Sequence, residues 1–141
     1  MKPGVFLTMI LSSAVLVWSA GAGQKEVKKI PVTSTRADSA VDMFKTYCAS
    51  CHGVDGKGHG PAADALKIAP ADLTVLKQKN AGKFPSGRVI RVVDGADVVT
   101  AHGSSDMPTW GPIFQSLDPG NAALGKLRIA NLTKYIESMQ Q

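Results

Sequence analysis

Cys48-Ala49-Ser50-Cys51-His52 is the run in this chain with the clearest chemical meaning. Two thiols three residues apart, with a histidine directly after the second, make the C-x-x-C-H pattern by which a c-type haem is attached. Each thiol can form a thioether with one haem vinyl group, and the imidazole of His52 can then turn onto the iron. The chain has 2 cysteines in all, so neither has another sulfur to meet elsewhere. A zinc site needs four ligands, and no second cysteine pair exists to complete one. A thioredoxin-like dithiol belongs beside a βαβ pattern, which the sequence lacks. The motif therefore predicts haem c, held covalently through Cys48 and Cys51. No internal repeat and no second C-x-x-C-H appears, so the chain carries one haem.

A haem iron held by His52 has a second face, and the side chains able to ligate it are Met43, His59, His102, Met107 and Met139. Met43 lies one helical turn before the thiols, too near in sequence to cross the haem, and reads as core. Met139 falls on an apolar stripe and reads the same way. His59 follows His52 by seven residues, which makes the opposite face a strained reach. His102 and Met107 remain, both in the loop from Thr100 to Trp110. Pro108 holds the chain at Met107 extended and stiff, a support suited to a weak iron–sulfur bond, and this favours Met107 over His102.

Two helices must position this chemistry. The first is expected from Ser39 to Cys51, with Ser39 as N-cap and Asp42 in the place of a capping-box partner. Ala40, Val41, Phe44, Tyr47 and Cys48 recur at three- and four-residue spacing and run along one stripe into the motif. The last helix is expected to start near Asn121, after the break at Asp118-Pro119-Gly120. Leu124, Ile129, Leu132, Tyr135, Ile136 and Met139 share one face, with Lys126, Lys134 and Glu137 off it. Arg128 falls inside that apolar stripe and must either snorkel out or meet an acid. Between the helices, Gly53 to Pro61 is glycine-dense, which permits positive φ and close approach of backbone to a flat cofactor. It follows a helix and lacks the G-K-[ST] ending of a phosphate loop. Ala62 to Leu66 reads as a short helical segment. Ser86 to Val93 is ambiguous, since its β-branched residues favour a strand by propensity.

The N-terminus sets the compartment. Lys2 is followed by an apolar stretch from Val5 to Trp18 and by the small residues Ser19 to Gly23, the layout of a secretory signal peptide. Ala20-Gly21-Ala22 offers the cleavage pattern, placing the cut after Ala22. As an uncleaved helix, Val5 to Ala20 would span about 24 Å at ~1.5 Å per residue, short of the ~30 Å hydrocarbon core. Residues 1–22 are thus expected to be a signal peptide, 23–38 a flexible, poorly packed lead-in, and 39–141 the haem domain. The protein is expected to be periplasmic, with membrane association only if the N-terminus is kept as an anchor. About 100 residues make a marginal core, to which a buried haem would add a large apolar body.

Taken together these residues resemble a class I cytochrome c, a small monohaem electron carrier, over about residues 39 to 139. The likeness rests on Phe44 four residues before Cys48, on Cys48 to Gly53, on Gly60-Pro61, on Met107-Pro108, and on Leu132 with Tyr135. It implies an all-α fold whose first and last helices cross at close contact. Where the family often has glycine at that crossing this chain has Ala40, whose methyl is expected to widen it slightly. The resemblance also implies that Ser86 to Val93 is helical. It makes His52 the proximal ligand and Met107 the distal one, and it places Pro61 where a carbonyl accepts the Nδ1 hydrogen of His52.

The formal net charge is +5. From Leu73 to Val93 stand Lys77, Lys79, Lys83, Arg88 and Arg91 with no Asp or Glu among them. This stretch predicts redox partners, donor and acceptor, with acidic docking surfaces. Nucleic-acid binding is excluded by compartment and by the lack of an aromatic-interleaved basic surface. The expected function is one-electron transfer by a monomer or a complex subunit, not enzymatic turnover. The alternatives are a subunit held in a membrane respiratory or anion-oxidising complex, and an open-site haem enzyme with peroxidase-like activity.

Overall fold

The structure, a computed structural model, describes residues 32–97 and 107–141. The expected signal segment with its cleavage point, and His102, lie outside the described residues. Among the described residues every regular element is helical, and the fold is all-α as expected.

The first helix is built in three pieces that follow one another without a break: α1 Ala40–Met43, a π-helical turn Phe44–Cys48, and α2 Ala49–His52. Ser39 occupies the N-cap position, but its hydroxyl donates to Asp42 Oδ2 at 2.5 Å and caps no backbone N–H. An aspartate is a methylene shorter than the Glu or Gln of a capping box, so the two side chains satisfy each other. Phe44 and Tyr47 of the stripe are buried, as is Met43, read as core, whereas Val41 lies at the stripe's edge and is 42% exposed. Ala49 is buried as well. A π turn takes in an extra residue, which rotates the following turn and brings inward a side chain that an unbroken 3.6-residue helix would face outward.

The helix stops at Gly53, whose φ of 78° is the left-handed conformation expected just past a helix end. Three 3₁₀ turns follow, at Ala63–Ala65, Leu73–Val75 and Gln78–Asn80. The ambiguous stretch is helix α3, Ser86–Asp94, burying Val89 and Val93 one turn apart and ending on Gly95 at φ 89°. Burial of one valine stripe overrides the strand propensity of Val and Ile. Helix α4, Trp110–Leu117, is an element the sequence reading did not place. Pro112 looks like a breaker, yet it sits in the first turn, where a backbone N–H has no intrahelical partner to lose.

Helix α5, Ala122–Ser138, crosses the first helix and packs on α3 and α4. Phe44 meets Tyr135 with ring centroids 5.3 Å apart, which is the expected contact of first and last helices. Tyr47, Trp110 and Phe114 form a second aromatic group, each pair 5.3–5.5 Å apart, joining the first helix to α4. Gly125 lets α4 come close, since a Cβ there would stand 3.3 Å from the Gln115 backbone nitrogen.

Arg128 is 2% exposed, so it does not snorkel. Its Nε and Nη2 donate to Asp118 Oδ2 at 3.2 and 2.9 Å, and its Nη1 donates to Thr35 Oγ1 at 3.2 Å. The stretch from Thr33 to Ala37, largely exposed, is tethered to the helices by hydrogen bonds. Tyr47 Oη donates to Thr33 O at 2.7 Å, and Asn131 Nδ2 donates to Ala37 O at 2.9 Å. Three buried or half-buried side chains thus bind this strand of chain across the helix crossing.

A buried guanidinium left without its carboxylate retains a large desolvation cost, whereas an apolar replacement removes cost and gain together. Asp118→Ala is therefore expected to lower the stability of the haem-loaded protein by roughly 2–4 kcal/mol, and Arg128→Met by about 1 kcal/mol or less. Urea unfolding followed by Trp fluorescence checks the order. Equal losses would place the stability in packing and not in the ion pair.

Candidate functional site

The last turn of the first helix carries Cys48, Cys51 and His52 within five consecutive residues. Both cysteines are free and half-buried. Burial pushes the Cys48 thiol up to about 12, and the nearby Cys51 acts in the same direction. Cys48 is therefore a protonated thiol at neutral pH, not a pre-formed thiolate.

His52 is held by its inner nitrogen. Nδ1 lies 3.0 Å from the carbonyl oxygen of Ala71. A carbonyl can only accept, so Nδ1 carries the hydrogen and Nε2 keeps its lone pair. Burial lowers the pKa of the ring, and the bond to Ala71 opposes this in part. The ring is thus neutral to below its ordinary value near 6.5, the state in which imidazole binds a metal. Pro61, expected to offer the accepting carbonyl, does not. Its flanks are committed to the helix end: Gly60 N donates to Cys51 O at 3.0 Å and Ala62 N to Ser50 O at 2.8 Å. Pro61 itself is exposed, and the segment around Ala71 supplies the acceptor in its place.

The glycine-dense loop folds back over the carbonyls that terminate the helix. Gly58 N donates to His52 O at 2.7 Å, beside the two bonds just given. A Cβ on Gly60 would collide with the backbone oxygens of Ser50 and Ala49, and one on Gly58 with the Pro70 carbonyl. The close approach that these glycines allow is to the chain's own backbone, which locks the helix end to the segment beside His52.

That segment is itself well defined. Asp72 Oδ1 accepts from Thr74 N at 2.8 Å and from Thr74 Oγ1 at 2.7 Å, capping the 3₁₀ turn Leu73–Val75. The Thr74 hydroxyl is the main reason the Asp72 carboxyl is held below its ordinary range. Leu73 N donates to Gly56 O at 2.8 Å, tying the segment to the glycine loop.

Met107 stands three residues before Trp110 and is 39% exposed, outside the apolar core. The other two methionines considered are committed elsewhere. Met43 is fully buried, and Met139 packs on the core with its methyl over Gly56. Among the described residues no group of three or more His, Cys, Asp or Glu is placed to hold a metal ion.

The donor set fits haem c. Two thiols on one helical turn match two vinyl groups, and an oriented imidazole with a free Nε2 matches an axial site. The structure thus brings Cys48, Cys51 and His52 together and adds Ala71, which sequence reasoning missed. A main-chain acceptor carries no residue-type signal, so nothing in the sequence at Ala71 marks it.

The loop geometry separates steric cost from backbone strain. Gly60→Ala meets two backbone oxygens and is expected to cost about 3 kcal/mol. Gly82→Ala, at φ 80° with nothing within 4 Å, should cost only the left-handed strain of about 1 kcal/mol. Parallel urea unfolding of the two haem-loaded variants checks this; a cost at Gly60 no larger than at Gly82 would mean that the loop can lift from the helix.

Compared with known proteins, residues 37–140 match the family model described as Cytochrome c. No curated protein and no solved structure matches the chain.

Proposed function

The chain belongs to the cytochrome c family, and from that premise we propose that it is a one-electron carrier with a single covalent haem, ligated by His52 and Met107. The observation that carries the reading is the C-x-x-C-H turn with His52 Nδ1 bound to Ala71 O, which leaves Nε2 free and fixed in direction. When bound, the haem supplies the one-electron iron(III)/iron(II) couple. The residues of the chain set its value and its rate. The bond from His52 Nδ1 to Ala71 orients the ring and raises its basicity as a ligand. Met107 would offer a soft sulfur that favours the reduced iron. Were His52 and Met107 both to hold the iron, no place would be left for a substrate, which is why the reading is a carrier and not a catalyst.

The site of action we propose is the periplasm, in agreement with the signal-like N-terminus. Among the described residues no helix is long and apolar enough to cross a membrane.

Encounter with partners would use the basic stretch. Lys77, Lys79, Lys83 and Arg88 are all exposed. Arg91 is bound to Asp97 at 2.8 Å, which takes it out of the set. Four exposed cations along one stretch without an Asp or Glu favour partners with acidic surfaces and an electrostatically steered encounter.

Ligation is tested by the absorption spectrum of the oxidised, haem-loaded protein. A weak sulfur-to-iron charge-transfer band is expected in the wild type and should vanish in Met107→Ala. A wild type without the band would remove Met107 from the iron.

Steering is tested by a salt series of electron-transfer rates with a protein partner. The second-order rate should fall about tenfold or more between low and high salt. The double variant Lys79→Glu/Lys83→Glu should be slower at low salt and converge on the wild type at high salt. A flat wild-type series would end the docking proposal.

A further inference from the structure

The carbonyl that holds His52 is set by the segment that carries it, and the side chain that reaches furthest into this segment comes from beyond the end of α5. Gln140 Nε2 donates to Leu73 O at 2.7 Å and to Ile136 O at 2.8 Å. Its Oε1 accepts from Lys77 N at 2.8 Å. One carboxamide thus spans the 3₁₀ turn Leu73–Val75 from its first residue to past its last, and ties it to the final turn of α5. The neighbours of Gln140 support the same contact. Gln141 N donates to Thr74 O at 3.0 Å, and a Cβ on Gly56 would stand 2.7 Å from Met139 Cε.

From Gln140 the constraint runs to the histidine in short steps. Leu73 is held at its oxygen by Gln140 and at its nitrogen by Gly56. Asp72 is held by its two bonds to Thr74. Ala71, the next residue back, therefore has little freedom in the direction of its carbonyl, and that carbonyl takes the Nδ1 hydrogen of His52.

We propose that Gln140 is a positioning residue for the axial histidine: its carboxamide fixes the Leu73–Lys77 segment so that the Ala71 carbonyl stays on His52 Nδ1. The proposal rests on the reading of His52 as the haem ligand. Gln is suited to this task in a way that an apolar side chain of equal length is not. It offers two donors and an acceptor at the end of one stem, and here all are used on backbone groups of two elements. Releasing them would let the carbonyl move, weaken the bond to Nδ1 and lower the basicity of the ligand. The reduced iron would then be favoured relative to the oxidised.

The test compares four haem-loaded proteins: wild type, Gln140→Met, which keeps the volume, Gln140→Ala, and Ser138→Ala. Ser138 donates to Tyr135 O on the same helix end and provides the control for local fraying. Two quantities are read: the solvent-exchange rate of the His52 Nδ1 proton by NMR, and the reduction potential. Loss of hydrogen bonds worth about one each on the usual scale should speed exchange at least about fivefold in both Gln140 variants. The potential should rise in both, and Ser138→Ala should change neither quantity. Gln140 variants with wild-type exchange and potential would overturn the proposal, even if they unfold more easily. A wild type whose haem-shifted resonances include no histidine ring would overturn the ligand reading, and the proposal with it.

Discussion

An imidazole that presents one nitrogen to a metal can be held in direction only through the other. In this protein that hold is a single hydrogen bond, 3.0 Å from His52 Nδ1 to Ala71 O. Both of its ends are tied down by the chain around them. The donor end is fixed because the helix that carries His52 has its last carbonyls taken by Gly58, Gly60 and Ala62. The acceptor end is fixed because the residues after Ala71 are bonded to their own side chains, to Gly56 and to Gln140. A Cβ on Gly60 would press on the carbonyls at the donor end, and one on Gly58 on the Pro70 carbonyl beside the acceptor end.

The second constraint is the buried charge of Arg128. Placing a guanidinium in the crossing of the first and last helices costs solvation that contact with hydrocarbon cannot return. Asp118, at the turn into α5, returns part of it, and Thr35 takes another donor. The result is that one cation joins α5, the turn before it and the chain ahead of α1. Tyr47 and Asn131 add their own bonds to that same stretch. Tyr47 also touches Trp110 and Phe114, so the chain ahead of α1 is connected to the aromatic group behind the haem-bearing helix. In a domain with few aromatics, directional polar contacts of this kind define one packing among several that hydrophobic contact alone would permit.

What could be read from residues alone was what residue types and short spacings encode. Cys48, Cys51 and His52 are adjacent in sequence, so their juxtaposition needs no fold. The buried faces of the first and last helices follow from spacing, and Phe44 and Tyr135 do meet. The errors have physical sources. The burial of Ala49 was outside what spacing showed, since a π turn precedes it and no residue type announces one. Helix α4 was hidden by Gly111 and Pro112, although both are harmless in a first turn. Pro61 was the wrong acceptor because a carbonyl is common to every residue and its direction depends on long-range contacts. Arg128 could be recognised as out of place, but its partner stands ten residues before it across a helix start, which periodicity does not reveal.

The division between local and non-local parts has a consequence for how such a site can change. The groups proposed to attach and ligate the haem sit on one turn of helix, so that altering them would remove the chemistry outright. The groups that set its fine properties lie far off in sequence, at Ala71 and in the contacts that steady it. These can vary by one hydrogen bond at a time, with the helix and its motif untouched. A hydrogen bond to the non-ligating nitrogen of a histidine ligand acts continuously on its basicity, unlike loss of the ligand itself. If His52 is the ligand, the segment beside it is where substitutions would adjust the redox balance without removing the attachment motif.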